Sequence, residues 1–206
     1  MVPRPELSGV VPATAENIRR AAEIVRAGGL AILPTETVYG VAARADSAEA
    51  MSRLLAAKGR DESKRVAYFA EGIAAIREAG IPVEEIAERL AAAFWPGPLT
   101  MVLRNRSGGW DGFRVPDHPV ALAWVRELGV LPAVTSANRS GEPPARTAQE
   151  AWTALAPHVE LALDAGPAAV GLASTVVRVR DGALEILREG PIGREALAAA
   201  ACSARS

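Results

Sequence analysis

The chain is poor in the residues that build metal centres and disulfides. Its 206 residues include one cysteine, Cys202, and two histidines, His118 and His158. A single cysteine excludes an internal disulfide and a cysteine-based zinc site, and it fits a reducing cytoplasm. Neither histidine has a ligand cluster beside it in the sequence, and both read as exposed or capping residues. No apolar run approaches the roughly 20 residues that span a bilayer. The N-terminal Met1-Val2-Pro3-Arg4-Pro5-Glu6 lacks the apolar stretch of a secretory signal, so a cytoplasmic location without a membrane partner is expected. Three familiar catalytic signatures are missing: Gly-x-x-x-x-Gly-Lys-Ser/Thr, His-Glu-x-x-His and Gly-x-Ser-x-Gly. Their absence excludes a P-loop, a zincin helix and a nucleophile elbow. Net charge is also small: 23 Lys and Arg against 24 Asp and Glu give −1 and an isoelectric point near 6.2. The molecule as a whole therefore offers no general attraction to nucleic acid.

What remains is a globular composition, half hydrophobic and 23% charged. Helical and extended patterns alternate. Thr14 is placed to cap a helix carrying Ile18, Ala22 and Val25 on one face, stopped by Gly28-Gly29. Ser47 caps a second, which ends at Lys58 before Gly59. Pro82 opens a third with Ile86, Leu90 and Phe94 aligned. Further helices are expected over 118–128, 147–155 and 194–201. Short apolar runs at 30–33, 66–70, 99–103, 113–115, 131–134, 159–163, 175–179 and 184–187 read as strands, the last two as a hairpin around Asp181-Gly182. The stretch 104–112 reads as a mobile loop, and 1–12 as an arm. The expectation is a single α/β domain over 1–206, a twisted mixed sheet flanked by helices.

Four segments could carry chemistry. The apolar run ending at Leu33 is followed by Pro34-Thr35-Glu36-Thr37-Val38-Tyr39-Gly40, and ligands in open α/β sheets bind beyond strand carboxyl ends. Turn capping by threonine accounts equally for Thr35 and Thr37. Lys58-Gly59-Arg60 offers a point charge and a planar fork suited to polyphosphate; a helix-end lysine and a surface arginine are the plain alternative. Thr135-Ser136-Ala137-Asn138-Arg139-Ser140-Gly141 ends a strand in hydroxyl and amide groups, which serve phosphate oxygens or a hydrogen-bonded turn. Ser174-Thr175-Val176-Val177 opens a strand, and Leu187-Arg188-Glu189-Gly190 closes the next. Trp95, in Phe94-Trp95-Pro96-Gly97, reads as a core and turn anchor. Repetition of polar residues at strand ends is what favours a site.

In joint order, with Phe94 to Thr100 and Pro143, these segments resemble the YrdC/Sua5 family, the L-threonylcarbamoyladenylate synthases, from about residue 14 to 195. The resemblance implies a single α/β domain with a large concave cavity. It implies condensation of L-threonine, bicarbonate or CO₂ and ATP to threonylcarbamoyl-AMP and pyrophosphate, feeding tRNA t6A37 modification. Lys58, Arg60, Ser136, Asn138 and Arg188 fall on the family's ATP positions, with Lys58 and Arg60 stabilising charge at the phosphates. Thr37, Arg114 and Ser174 fall on its L-threonine positions, and Thr35 joins that set. Mg²⁺ would arrive with ATP, and no protein-bound metal site is expected. The implied partners beyond the substrates are tRNA or the downstream threonylcarbamoyl-transferase complex. Asp61 stands where the family pattern has proline, Lys64-Arg65-Val66 where it has an Asn-Pro-Leu-like stretch, and Phe69 where some members carry a ligand-type side chain. Lys64 would then replace an amide contact to ATP by a charge. Two alternatives of other classes are a double-stranded RNA-binding module and a nucleotide-binding regulatory module of the same fold. The related carbamoyl-transfer module of hydrogenase maturation belongs to chains with cysteine-rich zinc fingers, which one cysteine excludes.

Overall fold

The structure, a computed structural model, describes residues 9–59 and 66–202. In chain order the elements are β1 (Val10–Pro12), α1 (Ala15–Arg26), β2 (Ala31–Leu33), β3 (Gly40–Arg44), α2 (Ala48–Lys58), β4 (Ala67–Phe69) and α3 (Ile73–Glu78). There follow α4 (Glu85–Phe94), β5 (Leu99–Arg104), β6 (Trp110–Arg114), α5 (Pro119–Leu128), β7 (Pro132–Ser136) and α6 (Ala148–Leu155). The chain closes with β8 (Leu161–Asp164), β9 (Thr175–Arg180), β10 (Ala183–Arg188) and α7 (Arg194–Cys202). Among the described residues the ten strands form one sheet in the order β1-β8-β2-β3-β7-β4-β6-β5-β9-β10. Pairings are parallel for β1·β8, β8·β2, β4·β6 and β5·β9 and antiparallel elsewhere, so the sheet is mixed.

The caps explain where the helices begin. Thr14 Oγ1 accepts from the Asn17 N–H at 3.3 Å, Ser47 Oγ from Ala50 at 3.2 Å and Thr147 Oγ1 from Glu150 at 3.2 Å. Each satisfies an amide that the first turn leaves unpaired. Gly59 ends α2 in the left-handed region at φ 61° and returns its N–H to the Leu55 and Ala56 carbonyls.

Strand alternation divides the core. On one face of the β2–β3–β7 region, Ile32, Val41 and Ala43 pack with Leu54 of α2 and Leu155 of α6. On the other, Ala31, Leu33 and Ala42 pack with Val25 of α1 and Trp124 of α5. In the other half, Leu99, Met101, Phe113 and Val177 pack with Ile86 and Leu90 of α4 and Leu197 of α7. Each large apolar side chain buried there contributes about 1.5–3 kcal/mol. The residues between them, Thr100, Val102, Gly112, Arg114 and Val176, face the other way and line a cavity.

Three expectations need correction. The helix opened by Pro82 begins instead at Glu85, because Glu84, extended at ψ 155°, accepts the Gly182 N–H at 2.7 Å and ties the helix start to the β9–β10 turn. The stretch 104–112 is a β5–β6 hairpin, not a mobile loop: Asn105 exchanges backbone bonds with Gly108 and Gly109, and its Oδ1 accepts the Gly109 N–H at 2.7 Å. Within the 1–12 arm, Val10–Pro12 is ordered, as expected, as an edge strand parallel to β8. β3 and α3 have no counterpart among the expected elements. The Asp181-Gly182 hairpin is as expected, with φ of 50° and 73° at the turn.

Candidate functional site

The cavity is about 470 Å³, and its floor is the uncovered face of β7, β4, β6, β5 and β9. That is within the usual range of small-molecule sites, about 300–1,000 Å³. Gly112 keeps the floor low: a Cβ there would meet Thr100 Cγ2 at 3.4 Å.

The turn after β2 brings Thr35, Glu36 and Thr37 to one wall. Thr35 Oγ1 donates to the Val38 carbonyl at 2.6 Å and accepts the N–H groups of Thr37 and Val38. Its own proton is thereby used, so in the 2.9 Å contact between the two hydroxyls Thr37 is the donor. Thr37 Oγ1 in turn accepts from Arg114 Nη2 at 2.8 Å. Thr35 thus builds the turn and Thr37 presents its oxygen to a cation. Arg114, 6% exposed, ends β6; its Nε donates to the Gly97 carbonyl at 3.3 Å and its guanidinium stacks 5.6 Å over Phe69. Glu36 Oε1 lies 2.7 Å from Arg114 Nη2. Burial holds the Arg114 pKa below the ordinary arginine value, and Glu36 works against that shift.

The loop after β7 forms a second wall. Asn138 Nδ2 donates to the Arg139 and Glu142 carbonyls at 2.9 and 2.7 Å, bracing its own turn. Lys58, 1% exposed, reaches this loop from the end of α2. Its Nζ donates to the Ser136 and Asn138 carbonyls and lies 3.3 Å from Asn138 Oδ1, while its own carbonyl accepts the Ser140 N–H at 3.0 Å. Lys58 is therefore not an exposed helix-end lysine. It places a charge directly beneath the loop that carries Ser136 and Asn138.

A third wall comes from β9 and β10. Ser174 Oγ is 2.8 Å from Thr100 Oγ1. Arg188 donates to the Ser174 carbonyl from Nε at 3.0 Å and from Nη2 at 2.8 Å, and to Ser174 Oγ at 3.1 Å. The Arg188 pKa is lowered by burial and, secondly, by the charge of Arg114. The two guanidiniums therefore share one space. Gly190 allows this wall to close, since a Cβ there would stand 2.5 Å from the Thr175 nitrogen and 2.7 Å from the Ala173 carbonyl oxygen.

Thr35, Thr37, Arg114, Ser136, Asn138, Ser174 and Arg188 all line this one cavity, and Lys58 lies under its loop. Arg60 and Lys64, with the rest of Asp61 to Arg65, lie outside the described residues. Sequence reasoning missed the place of Glu36, although an acidic residue between two threonines after an apolar strand was a visible signal. His118 also departs from expectation. It occupies the N-cap position of α5 without a side-chain cap bond, and its Nδ1 is buried without a hydrogen-bond partner. Trp95 is a turn anchor as expected, its Nε1 donating to the Leu99 carbonyl at 2.7 Å. Among the described residues no group of three His, Cys, Asp or Glu is placed to hold a metal, and no helix is long and apolar enough to cross a membrane.

The Sua5/YciO/YrdC family model, described as "Telomere recombination", matches residues 23–190. The chain belongs to this family. It is 38% identical to a putative threonylcarbamoyl-AMP synthase of Mycobacterium tuberculosis, over 84% of each chain. It is 34% identical to the threonylcarbamoyl-AMP synthase of Bacillus subtilis, over 88% of its own length and 56% of that protein. A solved structure of Pyrococcus abyssi Sua5 complexed with L-threonine superposes with a TM-score of 0.85 at 30% identity, over 93% of this chain and 59% of that one. The chain thus spans most of the mycobacterial relative but under two thirds of the Bacillus and Pyrococcus proteins.

Proposed function

We propose that the chain is a threonylcarbamoyl-AMP synthase, a nucleotidyltransferase acting on L-threonine, bicarbonate or CO₂, and ATP. The observation that carries this reading is the pair of guanidiniums from different strands, Arg114 on Thr37 and Arg188 on Ser174, entering one cavity. Relatives bearing that name, one family member bound to L-threonine, support the substrate.

Thr35, Thr37, Arg114 and Ser174 form the L-threonine end, with the Arg114 fork taking the carboxylate. Ser136, Asn138, Arg188 and Lys58 form the ATP end, and Arg60 and Lys64 are assigned to ATP by the family pattern. The neutral threonine amine attacks the carbon of CO₂ and loses a proton, giving a carbamate; from bicarbonate the same product forms with loss of water. A carbamate oxygen then bonds to the α-phosphorus, and the bond to the α–β bridging oxygen breaks with its electron pair leaving on pyrophosphate. Lys58 and Arg60 stabilise the charge that grows on the phosphates. No protein nucleophile is required, since alignment of two bound reactants can supply roughly 7–11 kcal/mol of the barrier. Among the described residues the cavity walls offer hydroxyls, amides and cations and a single carboxylate residue, Glu142. This fits Mg²⁺ that enters on ATP and neutralises its phosphates. We assign the product to t6A37 formation in the cytoplasm, with tRNA or the downstream transferase complex as its destination. No specific observation favours the RNA-binding or regulatory readings.

The test is carbon transfer. Labelled bicarbonate should appear in an adenylate only when L-threonine and ATP are both present. Label-free adenylate from protein that still binds ATP would overturn the assignment.

A further inference from the structure

We infer that Glu36 is the positioning residue for Arg114, a buried counter-charge that aims the guanidinium into the cavity and so governs amino-acid affinity. The inference rests on the proposed function, because it takes the Arg114 end of the cavity as the amino-acid end.

The geometry is that of a clamp. Arg114 is held at Nε by the Gly97 carbonyl, at Nη2 by Thr37 and Glu36, and on its face by Phe69. Nη1 makes no hydrogen bond to a described residue, and Arg114 lines the cavity. The fork is thus fixed on one side and open on the other. Both Glu36 oxygens are buried, and among the described residues the partner of this carboxylate is Arg114 Nη2, in the 2.7 Å ion pair. Glu36 therefore sits behind the guanidinium and acts on it by charge.

A buried pair of this kind is weak as a stabiliser, because desolvation offsets the attraction. Its effect is on the site. Arg114 and Arg188 repel one another in the shared space. One carboxylate beside Arg114 offsets that repulsion and stops the guanidinium from swinging toward solvent. A carboxylate ligand then meets a fork already in place, which lowers the ordering penalty on binding.

The discriminating experiment measures binding of L-threonine and of ATP separately, by calorimetry, to the wild-type chain, Glu36→Gln and Glu36→Asp. Thermal melts establish folding. Glu36→Gln should raise the threonine Kd at least tenfold and leave the ATP Kd within twofold. Glu36→Asp, which keeps the charge, should recover part of the loss. In steady state the threonine KM should rise while kcat at saturating threonine stays within threefold. Folded Glu36→Gln with an unchanged threonine Kd would overturn the inference alone. So would equal weakening of both ligands, the mark of a merely structural role. Should Glu36→Gln fail to fold, Glu36→Asp must itself weaken threonine but not ATP, and equal effects would again overturn it. Absence of threonine binding by the wild-type chain would overturn the proposed function, and this inference with it.

Discussion

Lys58 Nζ lies 3.3 Å from Asn138 Oδ1 and also donates to the Ser136 and Asn138 carbonyls, joining the last turn of α2 to the loop after β7. Its acceptors in these bonds are two carbonyls and an amide oxygen at the end of β7 and in the loop that follows it. Removing it has two effects. Lys58→Ala leaves carbonyls unpaired and a hole behind the loop, costing about 2–4 kcal/mol of stability. Lys58→Met keeps the stem and should lose less stability, yet both variants should lose turnover at least a hundredfold. Urea denaturation with initial rates checks this. A folded Lys58→Met of near wild-type activity would contradict it.

Thr37 accepts from Arg114 and donates to Thr35, so its hydroxyl links turn and cation. Thr37→Ser keeps both bonds and should stay within about threefold of wild type in kcat/KM. Thr37→Val removes both while keeping the shape, taking an acceptor from buried Arg114 Nη2 and a donor from Thr35 Oγ1, at about 1–3 kcal/mol. Its threonine KM should rise more than tenfold. Equal KM values for the two variants would show that the hydroxyl is idle.

Gly190 permits the close approach of the β10 end to the start of β9, where a Cβ would stand only 2.5 Å from the Thr175 nitrogen. Gly190→Ala must push that carbon against backbone, at about 1–3 kcal/mol of overpacking strain. Because Arg188 and Ser174 flank the clash, ATP KM should rise together with the loss of melting temperature. A stable, fully active Gly190→Ala would contradict the placement of this wall.

The sequence carried those parts of the fold that depend on local physics. Thr14 and Ser47 are legible as caps and cap their helices in the structure, and the Asp181-Gly182 turn fixes its hairpin. β3 was hidden because Gly40-Val41-Ala42-Ala43-Arg44 has a buried run without alternation or β-branched enrichment. α3 was hidden by its six-residue length. The true start of α4 depends on Glu84 meeting Gly182, which no local pattern reveals. The candidate site was legible as polar strand ends because strand order brings such ends together. The burial of Lys58 and the Glu36–Arg114 pair are tertiary facts, spanning distant segments, and were not legible.

His118 should leave a signature in stability against pH. Burial lowers its pKa below the usual 6.5, while the charges of Glu36 and Asp117 oppose the shift. Below 6.5 the unfolded chain therefore binds a proton that the folded chain refuses, so stability falls as pH drops until the lowered folded value is reached. His118→Gln should lose this component. The wild-type minus variant stability should decline as pH falls below about 6.5. A difference independent of pH would contradict the buried, neutral imidazole.

The most direct measurement of the central claim is pyrophosphate release by the purified chain with ATP, Mg²⁺ and bicarbonate, with and without L-threonine, and with L-serine as control. The account predicts release that requires L-threonine and bicarbonate together and is lost in Arg114→Ala. Release independent of threonine, or none from protein that binds both threonine and ATP, would contradict it.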